Sequence, residues 1–224
     1  MIRSVFFDLD GTLVDSAPGI VAALVSAAAA SGVSLQPCDV RGHIGPPVDR
    51  MLAEIAPFAS AETRDAIRAE YRRCYDTWGY QDAHLYEGTS SCLQALTERS
   101  IRLHIVTNKP EQPTNSLLEK LGIVSFFKDV KSAAGLSTSN PKGRLIADFL
   151  ALGNLLPAVV VGDSLDDLLA AQDNNVGFIL ASWGYRAGEV VAADPSVLRA
   201  RSFRHLTPML LSLSINQSHE PRHL

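Results

Sequence analysis

Two aspartates separated by one residue stand directly behind an apolar run near the start of the chain, in Val5-Phe6-Phe7-Asp8-Leu9-Asp10-Gly11-Thr12-Leu13. Side chains alternate along a strand, so Asp8 and Asp10 share a face while Leu9 takes the other, and both carboxylates can address one reacting atom. Gly11 permits a sharp backbone turn, and the Thr12 hydroxyl can bond backbone or a ligand oxygen, which suits a loop folded around something small and charged. An acidic turn after a buried strand would account for Asp-x-Asp alone. It accounts poorly for the whole run Asp-x-Asp-Gly-Thr-Leu-Val.

Two further apolar runs end in polar side chains. Arg102 to Thr107 reads as a strand closing on Thr107 and Asn108, and Ala158 to Gly162 leads into Asp163, with Asp167 four residues on. Ser4 to Leu9, Gly177 to Ala181 and a shorter stretch near Asp129 to Ala133 complete the strand pattern. Helical segments fill the gaps at Ser90 to Glu98, Glu111 to Leu121, Lys142 to Leu152 and Asp166 to Asn174. Near-continuous apolar strands separated by amphipathic helices predict a parallel sheet covered on both faces, a doubly wound α/β fold. Ligands of such sheets sit beyond the carboxyl ends of the strands, so Asp8, Asp10, Thr107, Asn108 and Asp163 should converge at one edge. Buried carboxylates are costly unless paired or metal-bound, so packing alone explains these strand ends poorly.

The Asp8-Leu9-Asp10-Gly11-Thr12 run resembles the first motif of the haloacid dehalogenase superfamily of aspartyl-phosphate phosphotransferases. The other motifs follow in order as Thr107, Lys142, and Gly162-Asp163 with Asp167. The resemblance spans Val5 to about Leu206 and is nearest the phosphoglycolate-phosphatase-like branch. It implies a Rossmann-like α/β core with an inserted helical cap, Mg²⁺ as cofactor and a small phosphorylated metabolite as substrate. Asp8 is then the nucleophile, and Asp10 the acid and base. Thr107, the Asn108 backbone N–H and Lys142 would hold the phosphate. Asp8, Asp163 and the Asp10 carbonyl would form an oxygen-only Mg²⁺ set, and Asp167 would orient Lys142 or a metal-bound water. Lys142 departs from the family pattern, because Pro141 precedes it and Gly143-Arg144 follow where the family has Pro-x-Pro. Lys109 and Lys131 therefore stay open as substitutes.

Between the first strand and Ser90 no strand-like run appears, and helical stretches at Pro18 to Ala30, Pro47 to Ala56 and Ala61 to Trp78 exceed what a crossover needs. Residues 16–83 are expected to form the cap, residues 1–15 and 84–212 the core, and residues 213–224 a polar tail. In the cap, the stretch Arg41 to Arg50, with Gly45-Pro46-Pro47 at its centre, resembles the family's substrate-specificity loop. That would bring Arg41, His43 and Arg50 toward a substrate carboxylate or second phosphate. A plain loop between two helices accounts for the segment equally well. Trp183-Gly184-Tyr185-Arg186 also resembles that branch and is expected at the rim of the site.

With 224 residues, 46% of them hydrophobic, the chain can bury a substantial core. A net charge of −4 without a basic run gives no case for nucleic acid. Cys38, Cys74 and Cys92 are odd in number and widely spaced, which suggests neither a disulfide framework nor a zinc site. No apolar stretch approaches the ~20 residues of a membrane span, so a cytoplasmic protein without a membrane partner is expected, as monomer or homodimer. A phosphomutase of the β-phosphoglucomutase kind and a catalytically silent binding module remain open. Haloalkanoate dehalogenation is disfavoured because it does not need Asp10, and a nicotinamide site is disfavoured because no strand leads into Gly-x-Gly-x-x-Gly.

Overall fold

The computed structural model describes residues 2–136, 138 and 140–213. The chain opens with β1 (Ser4–Phe7) and a short β2 (Val14–Asp15), then runs through α1 (Ala17–Ala30), α2 (Pro37–Gly42), α3 (Val48–Ile55) and α4 (Ala61–Thr77). A short β3 (His84–Leu85) returns it to α5 (Thr89–Glu98), β4 (Arg102–Thr107), α6 (Glu111–Lys120) and β5 (Asp129–Ser132). The remainder alternates as α7 (Pro141–Ala151), β6 (Ala158–Gly162), α8 (Leu165–Asp173), β7 (Gly177–Ala181), α9 (Ala187–Ala193), β8 (Arg199–Ala200) and α10 (Phe203–Leu213).

Six strands form one parallel sheet in the order β5-β4-β1-β6-β7-β8. β1 lies between β4 and β6, with Ser4 opposite both Arg102 and Ala158. Strand order reverses beside β1, and the residues that follow β1, β4 and β6 therefore meet at one edge. Val5 and Phe7 join a core with Leu93 of α5, Leu117 of α6 and Phe203 of α10, whereas Phe6 joins Ile146 and Phe149 of α7 and Ala170 of α8. The pleat thus distributes one strand between two covered faces, which is why β1 is apolar at every position after Ser4.

The helices α1 to α4 bury a separate cluster that includes Leu24, Ala27, Met51, Leu52, Ile67 and Tyr75. Where this helical unit joins the sheet, β2 and β3 pair antiparallel, Val14 opposite Leu85 and Asp15 opposite His84.

Several boundaries differ from the sequence expectation. β1 stops at Phe7 rather than Leu9, because from Leu9 the backbone folds back, and the Leu9 carbonyl accepts from the N–H groups of Thr12, Leu13 and Val14. The Thr12 hydroxyl, expected to find a partner, is buried with none among the described residues. The β2–β3 pair, β8, α2, α9 and α10 were not anticipated. Of the expected tail, Leu213 closes α10 and residues 214–224 lie outside the described residues. No helix among the described residues is long and apolar enough to cross a membrane. Cys38 is exposed, Cys74 and Cys92 are buried, and all three are free thiols.

One buried group in this core is a histidine. His104 of β4 stacks on Phe6 and packs tilted against Phe149, with ring centroids 5.2 and 4.9 Å apart. Its Nδ1 lies 3.3 Å from Asp129 Oδ2 but outside hydrogen-bonding geometry. Burial holds its pKa below the ordinary 6.5, against the pull of Asp129 and with a smaller push from Arg102 and Lys128. The unfolded chain therefore takes up this proton first, and the stability due to neutral His104 is lost as pH falls through about 6.5. Urea unfolding at pH 7 and pH 5 should show a steeper loss for the wild type than for His104→Leu. Equal losses would remove His104 from the pH dependence.

Candidate active site

Asp8 follows β1 and is buried, 6% exposed. Lys142, in the first turn of α7, donates from Nζ to Asp8 Oδ1 at 2.6 Å and to Asp167 Oδ1 at 2.7 Å. A cation in the first turn opposes the helix dipole, so these two carboxylates are what hold it there. Asp167 reaches back with Oδ2 to accept from the Ser164 backbone N–H at 3.1 Å and from its hydroxyl at 2.5 Å. It thus serves both as the cap of α8 and as the second partner of Lys142.

Asp163 follows β6, and its Oδ2 accepts from the backbone N–H groups of Tyr185 at 2.6 Å and Arg186 at 3.3 Å. Two glycines make room for it. Gly11 adopts φ +88°, and a Cβ at Gly11 or Gly184 would overlap the Asp163 side chain. The Trp183 to Arg186 loop therefore acts on this site through its backbone, and Arg186 directs its guanidinium to Glu189 at 2.6 and 2.8 Å.

The carboxylates of Asp8, Asp163 and Asp167 lie within 4.8 Å of one another, all buried. One ammonium cannot offset three carboxylates. Burial, reinforced by Asp167 and Asp163 against the pull of Lys142, raises the Asp8 pKa well above the usual carboxylate range. Burial and then Asp167 push Asp163 up to about 7, with Lys142 and the two backbone N–H groups opposing. Burial alone would lower Lys142, but Asp167 and Asp8 more than reverse this and hold it above its ordinary value. A buried, oxygen-only cluster with excess negative charge is the donor set of a hard divalent cation. Asp8 and Asp163, expected to bind a metal together with the Asp10 carbonyl, both lie in this cluster, and the Asp10 carboxylate lies outside it.

Asp10 is turned toward Lys109, whose Nζ donates to its two oxygens at 3.1 and 3.0 Å. The Ser16 hydroxyl donates to Asp10 Oδ1 at 2.5 Å. Lys109 is itself buried, with Nζ 4.3 Å from the centre of the Tyr75 ring. Burial by itself lowers its pKa; Asp10 and Tyr75 overcome this and hold it raised. Lys142 is therefore the lysine on Asp8, Lys109 is the lysine on Asp10, and Lys131 lies over Phe149, 4.2 Å from the ring centre.

Thr107 ends β4 and is buried, its hydroxyl accepting from the Lys109 N–H at 3.1 Å. Asn108 Nδ2 donates to the Gly45 carbonyl at 3.2 Å and to Asp166 at 3.1 Å, tying the strand end to the loop before α3 and to α8. Asp8, Asp10, Thr107 and Asn108 line one cavity of about 430 Å³ under Gly45-Pro46-Pro47 and α4. His43, Arg41 and Arg50 are not among its lining residues. His43 is half-buried, with Nδ1 2.7 Å from the Asp39 carbonyl. Arg50 turns to Glu54 and Asp166 at 3.4 and 3.7 Å, and Arg41 lies 5.7 Å from the Tyr185 ring centre.

Sequence reasoning missed Tyr71 and Tyr75 on the cavity wall. Tyr185, in the loop expected at the rim, accepts on its hydroxyl from the N–H groups of Ser16 and Ala17 at 2.8 and 3.0 Å. The available signal for the tyrosines was their four-residue spacing in α4, which places both on one face.

Residues 5–181 match the family described as haloacid dehalogenase-like hydrolase. A phosphoglycolate phosphatase of Vibrio cholerae is 33% identical over 211 residues, covering 87% of this chain and 91% of its own. A tyrosine-protein kinase PtkA of Mycobacterium bovis is 33% identical over 190 residues, covering 84% of this chain and 64% of its own. Among solved structures, a haloacid dehalogenase-like family hydrolase, SP0104 of Streptococcus pneumoniae, superposes with a TM-score of 0.80 at 26% identity, covering 95% of this chain and 98% of that one.

Proposed function

This chain belongs to the haloacid dehalogenase-like hydrolases and is a phosphatase of that family, and from that premise we propose that it hydrolyses a small phosphomonoester with Mg²⁺ through an aspartyl-phosphate on Asp8. The observation that carries this reading is the buried Asp8–Lys142–Asp167 triad with Asp163 beside it, at the carboxyl ends of adjacent strands. Asp8 and Asp163 would hold the cation, with the Asp10 carbonyl. Bound there, Mg²⁺ supplies positive charge to a phosphate oxygen.

Lys142 keeps Asp8 ionised and aimed as it attacks phosphorus, forming the Asp8 O–P bond as the ester P–O bond breaks. Asp10 gives its proton to the departing oxygen, then takes one from the water that attacks phosphorus and releases Asp8. For this, Asp10 Oδ1 exchanges Ser16 for the ester oxygen, while Lys109 keeps its bond to Oδ2. Thr107, the Asn108 N–H and Lys142 hold the non-bridging oxygens as charge develops. Residues 16–83 act as the cap over a core of 1–15 and 84–212, because α1, α3 and α4 supply the outer wall of the cavity.

The test is phosphate release from a panel of phosphomonoesters with Mg²⁺ and with a chelator. Release that needs the cation supports the reading, and equal release in the chelator contradicts it. Asp10→Asn, which keeps a partner for Ser16, should lower turnover of alkyl phosphates by about 10²–10⁴. Attack on p-nitrophenyl phosphate should suffer less, since its leaving group needs little protonation. Near-normal turnover of alkyl esters would take Asp10 out of the mechanism.

A further inference from the structure

The cavity over Asp8 and Asp10, about 430 Å³, falls within the ~300–1,000 Å³ that holds drug-sized ligands. It has room for much more than a two-carbon acid. Its outer wall is made by Ile20, Ile44, Val48, Met51, Tyr71 and Tyr75, with the two tyrosine rings 5.8 Å apart. All six pack in the hydrophobic cluster of the helical unit.

The charges on the wall matter as much as its shape. Four lining residues carry carboxylates, Asp8, Asp10, Asp49 and Asp76, against two cations, Lys109 and Arg72. Lys109 is committed to Asp10. Arg72 is exposed and stands one helical turn from Asp76, where an ion contact is screened and contributes little. No other cation lines the cavity among the described residues. A leaving group with its own negative charge would be desolvated here without a dedicated partner, which is costly. An apolar one gains by burial against rings and aliphatic chains.

We propose that the leaving group accepted by this cavity is an uncharged, partly apolar alcohol, aromatic or aliphatic, and neither a carboxylate nor a second phosphate. This rests on the phosphomonoesterase reading and specifies its substrate class.

The test compares kcat/KM for benzyl phosphate, phosphoglycolate and glucose 1,6-bisphosphate on the full chain with Mg²⁺, with p-nitrophenyl phosphate as a control. Benzyl phosphate and phosphoglycolate are both alkyl esters, so leaving-group basicity does not decide between them. Benzyl phosphate should be favoured by about tenfold or more, the scale of discrimination by apolar contacts, and Tyr71→Ala should lower that ratio severalfold. A preference for either anionic ester, with Arg72→Gln abolishing it, overturns the proposal and leaves the phosphatase reading standing. An unchanged ratio in Tyr71→Ala overturns the assignment of the wall. No phosphate from any ester, the control included, overturns both.

Discussion

Asp8→Asn should reduce phosphate release by about 10⁴–10⁶, the loss seen when a covalent nucleophile is removed, while the protein stays folded. The amide is isosteric and can still accept from Lys142 through its oxygen, so the bond now 2.6 Å long keeps a partner. It also removes one of three carboxylates held within 4.8 Å of one another. The folded state should therefore be as stable as the wild type or more so in the absence of a divalent cation. Steady-state kinetics and denaturant unfolding on the same preparation separate the two effects. An active Asp8→Asn protein would place the nucleophile elsewhere, and an unfolded one would show that the carboxylate is needed to build the site.

Lys142→Met should damage both activity and stability. The ammonium is buried and bonded to Asp8 and Asp167 at 2.6 and 2.7 Å. Removing it leaves Asp8, Asp163 and Asp167 facing each other without a cation, and breaking a buried charge pair in this way costs about 3–5 kcal/mol. The unfolding midpoint should drop accordingly. A divalent cation should restore more stability to Lys142→Met than it adds to the wild type, because it supplies the charge that was removed. A variant as stable as the wild type in chelator would mean that the cluster is already neutralised by protonation, and that Lys142 is not what balances it.

The contrast between what could and could not be read from sequence has a physical origin. β1, β4 and β6 were legible because strands buried on both faces are almost continuously apolar, and a polar residue at their ends stands out. Asp8, Thr107 and Asp163 were located in this way. β8 and the β2–β3 pair have two residues per strand, too short to display any period. α10 carries Phe203, Leu206 and Leu210 on one face, but its Pro208 obscured the helical pattern.

Charge partners were harder still. Lys142 was legible through its place in the motif order, although the residues that follow it depart from the family pattern. The role of Lys109 was hidden inside Thr107-Asn108-Lys109-Pro110, which reads as a turn, and only the fold brings it to Asp10. Asp167 was expected to orient Lys142 or a metal-bound water; one of its oxygens bonds Lys142, and the other caps α8, a role the sequence reading did not give it. His43 and Arg50 were chosen because their charge could grip an anion. From that stretch the fold instead lines the cavity with uncharged Ile44, Gly45, Pro46, Pro47 and Val48 and the anionic Asp49.

The most direct test of the central claim is to trap the phosphoryl group on the protein. In Asp10→Asn, p-nitrophenyl phosphate can still phosphorylate the enzyme, because its leaving group needs little acid assistance, whereas the hydrolytic step lacks its base. Rapid acid quench with ³²P-labelled ester, followed by peptide mapping, should find a hydroxylamine-labile label on the peptide containing Asp8, formed at least as fast as turnover. Turnover without label at any time, or label on a different residue, would contradict the account.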